Sequence, residues 1–200
     1  MKGIIKDSLI LFVITLVSGL LLGVVYEVTK DPIANQKAIA KAKACQAVFA
    51  EAAEFKTVDF AAMNGVTFDG GEISEVLSAK ASDGTELGFV ITTTSHNGYG
   101  GDVTMLVGIQ NDGTVNGISF TTINETAGLG MKAKDDAFKN QFSDKKVEQF
   151  AYTKSGAVAD NEIDAISAAT VTTNAVTEAV NGALDFFHNN LKVTGGAANE

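Results

Sequence analysis

The stretch DVTMLVGIQNDGTVNGISFTT, residues 102–122, decides the fold, because two β-like runs flank the turn residues 111–113. The stretch GEISEVLSAKASDGTELGFVITTTS, residues 71–95, has the same design around Asp83 and Gly84. An Asp-Gly pair between two such runs is a strong hairpin signal. The two stretches therefore predict four strands of an antiparallel sheet.

Helical patterns follow the sheet. AKDDAFKNQF, residues 133–142, predicts a short helix with Ala137, Phe138 and Phe142 facing inward. Residues 172–189 predict a final helix, because their apolar side chains recur at helical spacing. Together with the sheet they indicate one α+β domain. The apolar face of the final helix consists of Ala175, Val176, Ala179, Val180, Ala183, Leu184 and Phe187.

The beginning of the chain has the composition of a membrane span. Residues 9–26 contain no charge over 18 positions and are apolar all round. As a helix they would be about 27 Å long, enough to cross the hydrocarbon core. They predict a single uncleaved anchor, in which Gly19 and Gly23 form a G-x-x-x-G pair.

A second helix is predicted after the anchor. Asp31 has the chemistry of an N-cap and Pro32 that of a first helical residue, and the helical pattern extends to Phe55. The predicted organisation is an anchor (1–30), a connecting helix and linker (31–65), the α+β domain (66–192) and a flexible tail (193–200).

Charge and composition exclude several kinds of function. The net charge is −9 and every cation apart from histidine is lysine. A chain without a basic patch does not bind nucleic acid. One cysteine, Cys45, cannot build an iron–sulfur cluster or a structural zinc site, and no metal ligands are predicted. Redox chemistry in this chain would need an organic cofactor.

Three segments are richer in glycine and hydroxyl groups than packing requires. The first is SHNGYGGDV, residues 95–103. Gly98, Gly100 and Gly101 would allow close approach of a flat ligand, and Tyr99 could lie against its ring. An ordinary glycine-rich loop is the alternative.

The second segment is NETAGLGMKA, residues 124–133, where Gly128 and Gly130 flank Leu129. Backbone N–H groups in such a turn bind carbonyl oxygens or anions. Glu125 is a candidate local cap and Lys132 a candidate counter-charge to a reduced ring. Plain surface charge is the alternative for both.

The third segment is DAISAATVTT, residues 164–173, which places four hydroxyl side chains after Asp164. These hydroxyls could cap the final helix, or one of them could carry a covalent group. A phosphate on Thr170 would lie near the free N–H groups of the helix N-terminus. The residues alone leave both interpretations open. The four hydroxyls belong to Ser167, Thr170, Thr172 and Thr173.

These segments resemble the motifs of the FMN-binding domain family. DAISAATVT resembles the family's D-x-x-S-G-A-T-x-[ST], NETAGLG its E-T-P-G-L-G, and GYGG its strand-entry segment. The anchor, motif order and length resemble the G subunit of Rnf complexes. The C subunit of the sodium-pumping NADH:quinone reductase is an alternative, although that subunit is usually longer. A membrane-anchored scaffold without cofactor is a second alternative.

The resemblance implies a covalent flavoprotein. Thr170 matches the threonine that a flavin transferase esterifies to the phosphate of FMN. Asp164, Ser167, Ala168 and Ala169 match the recognition motif, in which Ala168 replaces a glycine and is harmless if its φ is negative. No catalytic residue is predicted. The other predicted FMN contacts are Gly98, Tyr99, Gly100, Glu125, Thr126, Gly128, Leu129, Gly130, Lys132, Thr172 and Thr173.

The resemblance also implies an electron-transfer subunit, not catalytic alone. Its complex would couple electron flow between ferredoxin and NAD to Na⁺ or H⁺ translocation. The implied partners are other membrane subunits, the flavin transferase and lipid. The implied location is the cytoplasmic membrane, with the N-terminus inside and the FMN domain outside the cytoplasm. The flanking lysines, two before the span and four after it, favour the opposite orientation.

Overall fold

A computed structural model of the protein describes residues 2–60, 63 and 66–191. The predicted tail, 193–200, lies outside the described residues. The chain divides into two compact units, Met1–Lys41 and Ala42–Glu200.

The chain opens with one long helix, α1 (Lys2–Val48). Among the described residues, α1 alone is long and apolar enough to cross a bilayer; its best 18-residue window has a mean hydropathy of 2.7 and nothing in it is buried. The predicted helix start at Asp31 is wrong, because α1 continues through it with Pro32 inside. An interior proline removes one backbone hydrogen bond of the helix, but the helix can continue on both sides of it. The predicted end at Phe55 is also wrong, since this residue lies in a strand.

The second unit is built on an antiparallel sheet in the order β1-β3-β4-β5-β6, with β2 paired to β3. The four predicted strands and both hairpins are confirmed; β1 and β2 were not predicted. The strands are β1 (Glu54–Thr57), β2 (Thr67–Phe68), β3 (Gly71–Lys80), β4 (Glu86–Ser95), β5 (Val103–Gln110) and β6 (Val115–Thr122).

The two predicted turns share one design. Gly84 and Gly113 have φ of +87° and +90°, which only glycine adopts readily. The preceding aspartate accepts the amide of the residue after the glycine, at 2.9 Å in each turn. In the second turn this bond and Lys146, 3.0 Å away, lower the pKa of Asp112 to about 2.

Short elements link the sheet to the last helix. A 3₁₀ turn (Gly130–Lys134), α2 (Asp136–Lys139) and a second 3₁₀ turn (Asn140–Phe142) replace the single short helix predicted for this region. Phe138 and Phe142 are buried as predicted, whereas Ala137 is exposed, contrary to the prediction. The helical type changes within these residues, so one 3.6-residue period does not describe which side chains face inward.

Helix α3 (Thr170–Phe186) covers one face of the sheet, and the whole predicted apolar face is buried. It begins two residues before the predicted start and is followed by a π-helical turn (Phe187–Leu191). A parallel strand pair, β7 (Ala151–Thr153) and β8 (Glu162–Asp164), leads into it. The other face of the sheet is covered by residues 44–52.

Candidate functional site

The three predicted segments meet around one pocket of about 480 Å³. This volume lies within the range of about 300–1,000 Å³ that is typical of small-molecule sites. Each segment contributes to the wall. The lining residues are Tyr99 from the first segment, Glu125, Thr126, Leu129 and Gly130 from the second, and Ala168, Ala169, Thr170, Val171 and Thr172 from the third.

The sheet register explains why the first two segments meet. Ser95 at the end of β4 pairs with Val103 at the start of β5, so the loop between them closes one end of the sheet. Thr104 pairs with Thr122, the last residue of β6. Residues 123–130 therefore leave the sheet at the same end. The amides of Leu129 and Met131 both donate to the carbonyl of Thr126, which tightens this turn.

The start of α3 presents free backbone donors to the pocket. The N-cap is Ala169, which has no capping side chain. The first hydrogen bond of the helix joins the amide of Thr173 to the carbonyl of Ala169, at 3.0 Å. The amides of Thr170, Val171 and Thr172 therefore precede the first helical bond and carry the partial positive charge of a helix N-terminus.

The four hydroxyls of the third segment differ in their surroundings. The hydroxyl of Thr173 is fully buried and donates to the carbonyl of Ala169 at 3.0 Å, so its role is structural. Thr172 lines the pocket but is 1% exposed. Ser167 is exposed and does not line the pocket. Thr170 alone combines partial exposure with a place in the wall. None of the four occupies the N-cap position.

Glu125 is a buried acid in the wall. It is 8% exposed, and its Oε1 has no hydrogen-bond partner among the described residues. It packs against two of the predicted glycines. A Cβ on Gly98 would lie 2.9 Å from Oε1, and one on Gly130 would lie 2.7 Å from the Cβ of Glu125 and 2.5 Å from Oγ1 of Thr172. These glycines therefore make room for Glu125.

The first loop is tied to α3 and to itself. Asn97 Nδ2 donates to Glu178 Oε2 on α3 at 2.9 Å. His96 Nδ1 lies 2.9 Å from Asp102 Oδ1, and this hydrogen bond raises the pKa of His96 above its ordinary value. These contacts hold Tyr99, which is 75% exposed, at the edge of the pocket.

Some predicted site residues lie outside the pocket wall. They are Gly98, Gly100, Gly128, Lys132, Asp164, Ser167 and Thr173. Asp164 instead forms hydrogen bonds with neighbouring segments. Its Oδ1 accepts a bond from the amide of Ala157 at 2.6 Å, and its own amide donates to Gln141 Oε1 at 2.6 Å. Val171 lines the pocket and was not predicted. It occupies an unspecified position of the motif, so no sequence signal could have identified it.

Ala168 has a φ of +61°, so the condition under which its replacement of glycine would be harmless, a negative φ, is not met. The chain turns sharply here, just before the N-cap of α3. An L-residue is strained in this left-handed region, whereas glycine is not. The replacement of glycine by alanine at this position is therefore not neutral.

The rim of the pocket is apolar. In the described part of the second unit, four large apolar residues are exposed, and three of them line this pocket: Tyr99, Leu129 and Val171. The fourth is Val158. Exposed apolar side chains gathered at one concave site indicate a ligand or partner with an apolar surface.

Comparison with known proteins supports this interpretation. A family model described as FMN-binding domain matches residues 98–185, and one described as RnfG N-terminal region matches residues 1–48. The chain is 33% identical over 195 residues to the G subunit of the Na(+)-translocating ferredoxin:NAD(+) oxidoreductase complex of Acetobacterium woodii, covering 94% of this chain and 93% of that protein.

A second relative is also a G subunit, and a solved structure has the same fold. The chain is 32% identical over 187 residues to the G subunit of the proton-translocating ferredoxin:NAD(+) oxidoreductase complex of Clostridium ljungdahlii, covering 90% of this chain and 93% of that protein. The crystal structure of Shewanella oneidensis NqrC has the same fold, with a TM-score of 0.54 over 76% of this chain and 88% of that chain, at 14% identity.

Proposed function

Because this chain belongs to the family of the G subunits of ion-translocating ferredoxin:NAD(+) oxidoreductase (Rnf) complexes, we propose that it carries FMN covalently, as a phosphoester of Thr170. It is a membrane-anchored electron-transfer subunit and does not complete a reaction alone. The observation that carries the proposal is the position of Thr170, partly exposed in the pocket at the first residue of α3.

The surroundings of Thr170 fit a phosphate. Its hydroxyl would be esterified where the amides at the start of α3 have no helical partner, and such N–H groups stabilise anions. The chain contains no arginine, so no guanidinium can hold a free phosphate here. In our proposal, the covalent bond and the helix N-terminus together hold the phosphate in place of a guanidinium.

The rest of the pocket fits a flat apolar ring. Tyr99, Leu129 and Val171 give apolar contacts at the rim and would exclude water from one side of the ring. When bound, FMN supplies the one- and two-electron redox chemistry. The chain's own residues bind and orient it, and by their dipoles and burial they set its potential.

The first 48 residues favour the G subunit over the C subunit of the sodium-pumping quinone reductase, since the RnfG N-terminal region model matches them. We place α1 in the cytoplasmic membrane, among lipid and other subunits of the complex, with the N-terminus inside. The FMN domain would then lie outside the cytoplasm, where a flavin transferase modifies Thr170. The four lysines that follow the span favour the opposite orientation, because positively charged flanks tend to stay in the cytoplasm. This tendency weakens for large translocated domains.

The test is the mass of the intact chain. Full-length protein, produced with a flavin transferase and purified in detergent, should carry the added mass of one FMN and fluoresce as a band on a denaturing gel. Colourless protein of unmodified mass would contradict the proposal and favour the cofactor-free scaffold.

A further inference from the structure

The carboxylate of Glu125 has an unmet need for a hydrogen-bond donor. The residue is 8% exposed, and Oε1 is buried without a partner among the described residues. A buried acceptor without a donor is costly and rare in native proteins. Because Glu125 lines the pocket, a bound ligand is the group positioned to supply that donor.

The charged side chains on the loops and helix that form the pocket do not supply it. On the first loop, His96 and Asp102 pair with each other. On α3, Glu178 is bonded to the amide side chains of Asn97 and Asn174. Lys132 and Lys134 lie on the 3₁₀ turn that begins at Gly130. Helix α3 also carries Asp185. In the wall of the pocket, Tyr99 is the other titratable residue. No described cation forms an ion pair with Glu125.

We infer that Glu125 is a positioning residue for the flavin: its carboxylate accepts a hydrogen bond from an N–H or O–H group of FMN and places negative charge beside it. The inference rests on the proposed function. FMN carries such donors on its ring imide and its ribityl chain. Negative charge next to the flavin opposes the arrival of electrons, so Glu125 lowers the reduction potential.

The first test measures the midpoint potential of the loaded full-length protein. Glu125→Gln removes the charge at nearly constant volume and should raise the potential. Glu125→Asp keeps the charge and should stay nearer to the wild type. Glu148→Gln is the matched control, because Glu148 is 88% exposed beside His188 and does not line the pocket. A Glu125→Gln potential equal to that of the wild type overturns the inference.

The second test needs no flavin. In protein produced without the transferase, Glu125→Met replaces an unpartnered buried carboxylate by an apolar side chain of similar size and should raise the melting temperature. A lower melting temperature would mean that Glu125 already has its partner within the chain, and would overturn the inference.

The two tests separate this inference from the proposed function. If wild-type protein produced with an active transferase gains no flavin, the proposal that Thr170 carries FMN is contradicted. Loaded protein whose midpoint potential is unchanged by Glu125→Gln contradicts only the proposed role of Glu125.

Discussion

The hydroxyl of Thr173 accepts a hydrogen bond from the amide of Ile166 at 3.0 Å. The same hydroxyl donates to the carbonyl of Ala169, so one fully buried side chain joins the connection after β8 to the first turn of α3. Among the described residues, the hydroxyl of Thr170, three residues earlier, forms no such pair of hydrogen bonds. One threonine of the motif therefore stabilises the fold, and the other is the residue that we propose to carry FMN.

Thr173→Val should destabilise the unloaded protein by about 1–3 kcal/mol, since it strands the buried amide of Ile166. Thr170→Val should change the free energy of unfolding by less than about 0.5 kcal/mol, because Thr170 is partly exposed. Urea denaturation of the full-length chain in detergent measures both. Equal losses in the two variants would contradict the division of roles.

Ala168→Gly should stabilise the protein. Alanine in the left-handed region costs about 1 kcal/mol, and the extra freedom of glycine in the unfolded chain offsets part of the gain. We expect a net increase of about 0.5 kcal/mol in the free energy of unfolding. The control is Ala169→Gly, where φ is −137° and glycine should destabilise. Stabilisation by both variants, or by neither, would show that strain at Ala168 is not the cause.

The His96–Asp102 pair makes the first loop sensitive to pH. The folded pKa of His96 is raised above 6.5 by the hydrogen bond to Asp102. The pair therefore stabilises the fold below pH 6.5, and that contribution disappears as pH rises through the raised pKa. Asp102→Asn should return the pKa of His96 toward 6.5, as followed by NMR of its ring protons, with His188→Gln used for assignment. An unaltered His96 titration would rule out this pair as the cause.

The orientation in the membrane is testable through an exposed loop. Val158 is 93% exposed, whereas the natural Cys45 is 2% exposed and should give little background. Val158→Cys should react with a membrane-impermeant maleimide in intact cells. Asp7→Cys, on the other side of the span, should react only after the cells are disrupted. The reverse pattern would place the FMN domain in the cytoplasm.

Local chemistry made the hairpins predictable, because Gly84 and Gly113 supply the positive φ that their turns need. Strand β1 was missed since its four residues follow a helical pattern and acquire their role only by pairing with β3, 20 or more residues away. The helix start predicted at Asp31 failed for the converse reason: good capping residues do not interrupt a helix that continues on both sides.

The candidate site was predictable as segments but not as geometry. Glycine and hydroxyl content identified all three segments that line the pocket. The burial of Glu125 could not be read from the sequence, because it depends on Gly98 and Gly130 coming together from different loops. The positive φ of Ala168 was equally hidden, since it depends on how the chain enters α3.

The most direct test of the account compares Thr170→Val with Thr126→Val, a threonine that lines the same pocket but lies outside residues 164–173. Each full-length variant is produced with the flavin transferase and examined by intact mass, peptide mapping and fluorescence on a denaturing gel. We predict that Thr126→Val retains FMN on the peptide containing Thr170 and that Thr170→Val carries none. Covalent flavin on Thr170→Val, or an unmodified residue 170 in the wild type, would contradict the account.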